Sequence, residues 1–505
     1  MKKIIFTISM LFAISLISFG QSYKQSGGTA TKSNQAYTAS STDESGVVVS
    51  NSGNLTLSNS TVTTSGNTSS NDNSSFYGLN AGVLSESAST IILNNCKIST
   101  TGTGANGVFA TGSGSSVTLT SDTINCTNDG GHGVDATFGG KLTLTDVVIN
   151  TAGAHGAAIS TDRGGGTINV TRGVATATGQ DSPGIYCTGT ISITDAIIVG
   201  KGSEGAVIEG ANTIDLLNTS ITGYKGSRDR GLLIYQSMSG DATGTEGKFT
   251  MTGGNYIWTS LNGPAMYVTN STGVIKLTGV TISNSSPVLV KASADQWGTS
   301  GSNGGNVVLT ASQQTLIGNM IADKYSTINA TLQNNSSLSG AINNDNSAKS
   351  VSVSLDASSK WNVTAESYID AFSDAGSITS DSVINLTGNG FNVYYDGTLS
   401  ANSSLQSKTY KLRNGGYLTC NTVSGINNAS DNKPNLKLYP NPVSDELTIE
   451  TANSETQKVS IYNISGIKVY DGIIKGTKTI DFKQFESGNY IISINNETNR
   501  ILVKH

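Results

Sequence analysis

The sequence predicts an all-β protein: a right-handed parallel β-helix (solenoid) followed by a small C-terminal Ig-like β-sandwich. Three observations predict it. An apolar-x-apolar triplet, usually closed by Thr, returns along the chain at a spacing of roughly 23 to 26 residues, as in a stacked repeat. Each return brings two further short apolar segments, so a repeat holds three strands. From residue 435 onward this period gives way to short alternating strands separated by turns.

The composition agrees. Of 505 residues only 13% are charged, Pro occurs 6 times and Gly 59 times, and Thr, Val and Ile recur throughout. β-Branched side chains pack well on a pleated surface. A disordered chain would show few aliphatics and a high net charge. The formal charge of −5 is too mild to steer the protein to nucleic acid or to an anionic membrane.

Residues 1–20 read as a signal peptide. Lys2 and Lys3 form the basic start, Ile4 to Ile17 the apolar stretch, and Ser18-Phe19-Gly20 a small-residue cleavage site before Gln21. The apolar run is shorter than a bilayer span. A Cys does not follow the site, which argues against a lipoprotein anchor. Cys96, Cys126, Cys187 and Cys420 form no CxxC or Cys/His cluster, so zinc is disfavoured and free thiols are expected.

The triplets are Leu55-Thr56-Leu57, Ile91-Ile92-Leu93, Val117-Thr118-Leu119, Leu142-Thr143-Leu144, Ile168-Asn169-Val170, Ile191-Ser192-Ile193, Ile214-Asp215-Leu216, Phe249-Thr250-Met251, Ile275-Lys276-Leu277 and Val307-Val308-Leu309. A second segment follows the turn (Val62, Ile98, Ile124, Ile149, Ile198, Ile221, Ile282). A third follows Gly or Pro, as in Gly107-Val108-Phe109, Gly205-Ala206-Val207-Ile208 and Pro287-Val288-Leu289-Val290. Side chains alternate faces along a strand, so both Leu of Leu55-Thr56-Leu57 point inward and Thr56 outward. One coil cannot bury its apolar face alone, whereas stacked coils form a continuous column. Thr120, Thr145, Thr171 and Thr194 would stack in a row, and Asn95, Asp146, Asp195 and Asn218 suit a tight turn after it.

Residues 44 to about 345 resemble the right-handed parallel β-helix family, the pectate-lyase-like solenoids that include many bacterial surface adhesins. The resemblance implies a fold and leaves the activity open. Residues 346 to 420 read as degenerate coils of the same helix, and 21–43 as an N-terminal cap or leader.

A linker is expected over residues 421–434. Then come Tyr439-Pro440-Asn441-Pro442, Val459-Ser460-Ile461-Tyr462-Asn463 with Ser465-Gly466, Ser487-Gly488-Asn489-Tyr490, and a basic strand from Arg500 to Lys504. In this order, residues 435–505 resemble the type A C-terminal sorting domain of the type IX secretion system of Bacteroidetes-type bacteria. The resemblance implies handling by that secretion machinery, transit through the periplasm, removal of the domain and frequent attachment to lipopolysaccharide. It marks Tyr439, Pro440, Asn441, Pro442, Tyr462, Gly466, Gly488, Tyr490 and Lys504 as the sorting motif.

No catalytic constellation stands out, and neither a metal nor a cofactor is expected. His132 and His155 lie about one coil apart and read as polar turn positions. The densest charges are Arg228, Asp229 and Arg230, with Asp135, Asp162 and Arg163 some coils earlier; all read as solvated loop charges. The paired-Asp signature of pectin-degrading glycosidases is absent. Tyr224, Tyr235, Tyr256, Trp258 and Tyr267 are expected to stand exposed beside the longest insertion, where aromatic rings can stack on sugars. Candidate binding residues are therefore Tyr256, Trp258 and Tyr267 with Arg228, Asp229 and Arg230. The reading is a secreted or surface-attached, adhesin-like, non-enzymatic protein that contacts a glycan or cell-surface ligand. The alternatives are a polysaccharide lyase or glycoside hydrolase on the same fold and an ice-binding solenoid using the Thr rows.

Overall fold

A computed structural model describes residues 21–420, 436–440, 442–451, 456–463, 467–494 and 497–504. The expected signal peptide and linker lie outside the described residues, as do Asn441 and Gly466 of the sorting motif. The chain divides into two compact units, Met1–Asn421 and Thr422–His505.

The first unit is a parallel β-solenoid of about 15 turns. The third apolar segments of the repeat form a 12-stranded sheet, from Tyr23–Ser26 through Val108–Thr111, Ala206–Glu209 and Met266–Thr269 to Asn319–Ala322. Each strand pairs in parallel with its counterpart one coil on, for example Val108 with Val134. The triplets and second segments form a 21-stranded sheet covering the other two faces. Between those faces the chain bends at a residue in the left-handed region: Asn95 (φ 55°), Asp146 (56°), Asp195 (55°) and Asn218 (49°). Asn and Asp tolerate this conformation because their short polar side chains satisfy local backbone groups. The same column holds Arg172 (φ 56°), a residue type less suited to it. Its Nε lies 2.7 Å from Asp146 Oδ1 on the preceding coil, which fixes the side chain along the stack.

Inward triplet positions are buried throughout; Leu57, Ile91, Leu142, Ile168 and Ile191 have no exposed surface and share one apolar column. Residues 23–39 already form three strands in register with the next coil. After residue 345 the coils continue with Ser350–Leu355, Lys360–Asn362 and Ser382–Thr387, and the stack closes in an antiparallel pair, Tyr410–Arg413 with Tyr417–Cys420. The four cysteines are free. Cys126 pairs with Thr100, four positions beyond Cys96, so those two thiols do not stack. Burial pushes the Cys126 thiol up to about 12, which leaves it unreactive at neutral pH.

The second unit holds a three-stranded antiparallel sheet (Leu436–Tyr439, Glu446–Thr451, Thr477–Asp481) and a four-stranded one (Lys468–Ile474, Gln457–Asn463, Gly488–Ile494, Glu497–Lys504). Both contribute to one core that includes Leu447, Ile449, Val459, Ile461, Ile480, Phe482 and Ile492. This is a small β-sandwich. Of the motif residues, Tyr490 packs edge-on against Phe482 (5.9 Å between centroids), and its hydroxyl donates to the Glu486 carbonyl at 2.7 Å. Gly488 pairs with Lys504, Tyr462 is half-buried beneath Lys468, and Tyr439 is exposed, as are Pro440 and Pro442.

Candidate functional site on the outer face of the first sheet

Strand register puts Phe109, Asp135, Ser160, Tyr186, Val207, Leu233, Tyr267 and Lys291 in one row, alternating with core positions and so facing outward. An uncovered row would be wet. Phe109, Asp135 and Ser160 instead have no exposed surface. Insertions between coils lie along the row: the helix Asn71–Tyr77 at its Phe109 and Asp135 end, residues 236–245 beyond it, and residues 293–305 beside Tyr235 and Tyr267. Phe76 of the helix accepts a hydrogen bond from Thr137 Oγ1 at 2.8 Å through its carbonyl, and Trp297 packs on Tyr235 at 4.6 Å. Two apolar clusters therefore sit outside the main column, one around Leu84 and Phe109 and one around Leu233, Tyr235 and Tyr267.

The upper cluster borders a cavity of about 360 Å³ lined by Arg228, Asp229, Arg230, Tyr267, Lys291, Asp295 and Gln296 among others. Arg230 is nearly buried, and its Nε lies 2.7 Å from Glu204 Oε1, so its charge is neutralised within the fold. Its guanidinium stacks near Trp297 at 5.2 Å and Tyr267 at 5.7 Å. Arg228 is exposed and lies 5.0 Å over Trp297. With the Gln296 amide turned toward it, the Gln296 oxygen accepts from Arg228 Nη1 at 2.6 Å and Nη2 at 2.8 Å. Lys291 Nζ sits 5.6 Å from the Tyr267 ring, and the Tyr267 hydroxyl donates to Asp295 Oδ2 at 3.1 Å. Planar guanidinium and amide groups, a carboxylate and an aromatic floor are the chemistry that holds sugar hydroxyls and acid groups.

The lower coils carry an acid group. Asp135 is fully buried, with Ser160 and the Ala136 N–H as its polar neighbours, and among the described residues neither its oxygens nor Ser160 Oγ reaches a partner in good hydrogen-bond geometry. Burial and the neighbouring Asp162 raise its carboxyl well above the usual range. Asp162 is pushed up to about 7 by burial, then by Asp241 and Glu209. Glu209, also buried, accepts hydrogen bonds from Tyr186 (2.6 Å) and Tyr235 (2.7 Å). Arg163 spans the group, 3.8 Å over the Phe76 ring and 2.6 Å from Asp241.

Two expectations need correction. Asp135, Asp162 and Arg230 are buried, not solvated, because the insertions cover them. Tyr256 and Trp258 are not exposed: they are 3% and 0% accessible and point into the solenoid core. Trp258 pairs with Gly223 of the previous coil, whose missing side chain leaves room for the indole, and its Nε1 donates to the Gly263 carbonyl at 3.0 Å. Tyr256 donates to the Ala265 carbonyl. Tyr235 and the candidate Tyr267 are likewise buried, whereas Tyr224 is exposed. Arg228, Asp229, Arg230 and Tyr267 do converge on one cavity. His132 is level with Ala157, whose N–H its Nδ1 accepts at 3.0 Å, and so lies two positions from His155 in the coil register. Glu204, Glu209, Lys291 and Trp297 escaped notice. Glu209 and Lys291 could have been found by extending the third segments Ala206-Val207-Ile208 and Val288-Leu289-Val290 by one residue.

The Thr row runs in register through Thr120, Thr145, Thr171 and Thr194, then yields to Leu217, which is 45% exposed.

Residues 437–505 match the secretion system C-terminal sorting domain family. No curated protein matches the chain. The protein is thus an exported parallel β-solenoid. Its C-terminal sorting domain is handled by the type IX secretion machinery and directs it to the outer cell surface or the medium.

Proposed function

We propose that the protein is an adhesin-like, non-enzymatic surface protein that binds glycan through the Arg228–Tyr267 pocket. It would enter the periplasm by a signal peptide over residues 1–20 and be attached to lipopolysaccharide once the sorting domain is removed. The pocket carries the reading: Arg228 and Lys291 stand beside a buried tyrosine, while Arg230 is already neutralised by Glu204. A glycan array probed with the exported chain tests it. Binding to a defined set of glycans, lost in Arg228→Ala and weakened in Tyr267→Phe, is the expected result. An empty array, or binding indifferent to both substitutions, would overturn it. Truncation before residue 435 is expected to leave the protein in the periplasm, checked by fractionation; unchanged surface display would contradict the export route.

Asp162, held at about 7 beside Asp135, favours a second reading, cleavage of a polysaccharide by paired carboxyls. Against it, Asp135 has no exposed surface with which to touch a polymer. Release of reducing ends or unsaturated sugars from acidic or neutral polysaccharides, abolished by Asp162→Asn, would establish it.

A further inference from the structure

A second cavity, of about 540 Å³, opens on earlier coils at the opposite ends of the first-sheet strands. We infer that it is a groove for an extended, uncharged glycan chain. The inference rests on the reading of the protein as a glycan binder, but not on the Arg228 pocket.

The groove crosses successive coils. Thr167, Thr190 and Thr213 are register partners lining it, so these positions repeat at the inter-strand spacing of about 4.8 Å. Much of the remaining wall is glycine; at Gly166 and Gly189 an added Cβ would meet the backbone of the adjoining coil, so the coils close up there and no side chain fills the groove. Arg163 and Asp241 are the charged residues of the wall and lie 2.6 Å apart, so the groove presents no free cation for an acidic polymer. Together they offer a donor and an acceptor side by side, the pattern that adjacent sugar hydroxyls satisfy. Ala211 and Ala242 are the apolar side chains of the wall, too small to form the pockets that would select a peptide's side chains.

An aromatic pair adjoins the groove's wall at Gly164 without being part of the lining. Phe138 lies against Gly164, where an added Cβ would come within 2.6 Å of the ring. Phe138 stacks on Tyr77 at 5.3 Å with 13° between the planes, and Tyr77 is 52% exposed. An exposed ring stacked on Phe138, next to the wall at Gly164, suits the apolar face of a pyranose that extends beyond the groove.

Calorimetry on the full exported chain tests this with cellohexaose, laminarihexaose and mannohexaose as neutral probes and a galacturonate oligomer as the acidic one. At least one neutral hexaose is expected to bind. Thr190→Trp, which fills the groove from an exposed position, should weaken it about tenfold or more, and Tyr77→Ala about fivefold. Arg228→Ala should leave it unchanged, and an unaltered melting midpoint shows that each variant folds. Acidic binding lost in Arg228→Ala, with no neutral hexaose bound, would overturn the groove while upholding the glycan reading. Neutral binding lost in Arg228→Ala and retained in Thr190→Trp would also overturn it.

Discussion

Thr145 and Asp135 both point away from the solenoid core, from strands of the same kind, yet Thr145 is partly exposed and Asp135 is sealed. On the large sheet the repeat is left to itself. Its outward positions are partly polar, as in the Thr row, and partly aliphatic, as in the exposed row Val148, Val174 and Ile197, and what they offer is shape. On the first sheet the insertions fold over the same kind of row, so outward residues become a second interior with charges in it. Stacking makes the scaffold, and departures from stacking make the chemistry.

The largest expected effect tests whether that second interior is real. Phe109→Ala, although on an outward strand position, should cost about 3–5 kcal/mol, comparable to the inward Leu144→Ala at about 2–5 kcal/mol. Thr145→Ala on the open sheet should stay within about 0.5 kcal/mol. Urea unfolding measures all three, and a Phe109→Ala loss as small as that of Thr145→Ala would dissolve the contrast.

A smaller effect concerns the buried acids. Asp162, normally near 3.8, is held at about 7 in the fold, and Asp135 is raised as well. The folded state therefore binds more protons than the unfolded chain between about pH 4 and about pH 7, and stability from these groups falls as pH rises through that window. His132 acts in the opposite sense, since burial lowers it from 6.5 to about 4, and its contribution falls as pH drops below 6.5. Asp162→Asn should thus melt higher than the unmodified protein at about pH 8, with the gap closing toward about pH 5. A gap independent of pH would place the acid in water.

Much of the scaffold was legible in the sequence. Leu55-Thr56-Leu57 and its successors carry their inside and outside in their alternation, and Asn95, Asp146 and Asn218 occupy the left-handed bend that their side chains suit. The sorting domain was legible through short ordered motifs, Tyr490 among them, whose hydroxyl and ring are fixed within its core. The site was legible only in part. Arg228, Arg230 and Tyr267 could be named, but the burial of Asp135 depends on the helix Asn71–Tyr77, inserted two coils earlier and carrying no repeat signal. Trp258 was misjudged for a related reason. Whether an aromatic beside an insertion faces in or out depends on register with the previous coil, and there Gly223 provides the room.

Hydrogen exchange on the exported chain, with and without the strongest glycan from the array, tests the central claim most directly. Protection confined to the first-sheet face, around residues 228–230, 264–267 and 291–296 or around 164–167, 189–190 and 211–213, is the predicted result. Protection centred on the Thr145–Thr171–Thr194 row of the open sheet would contradict it.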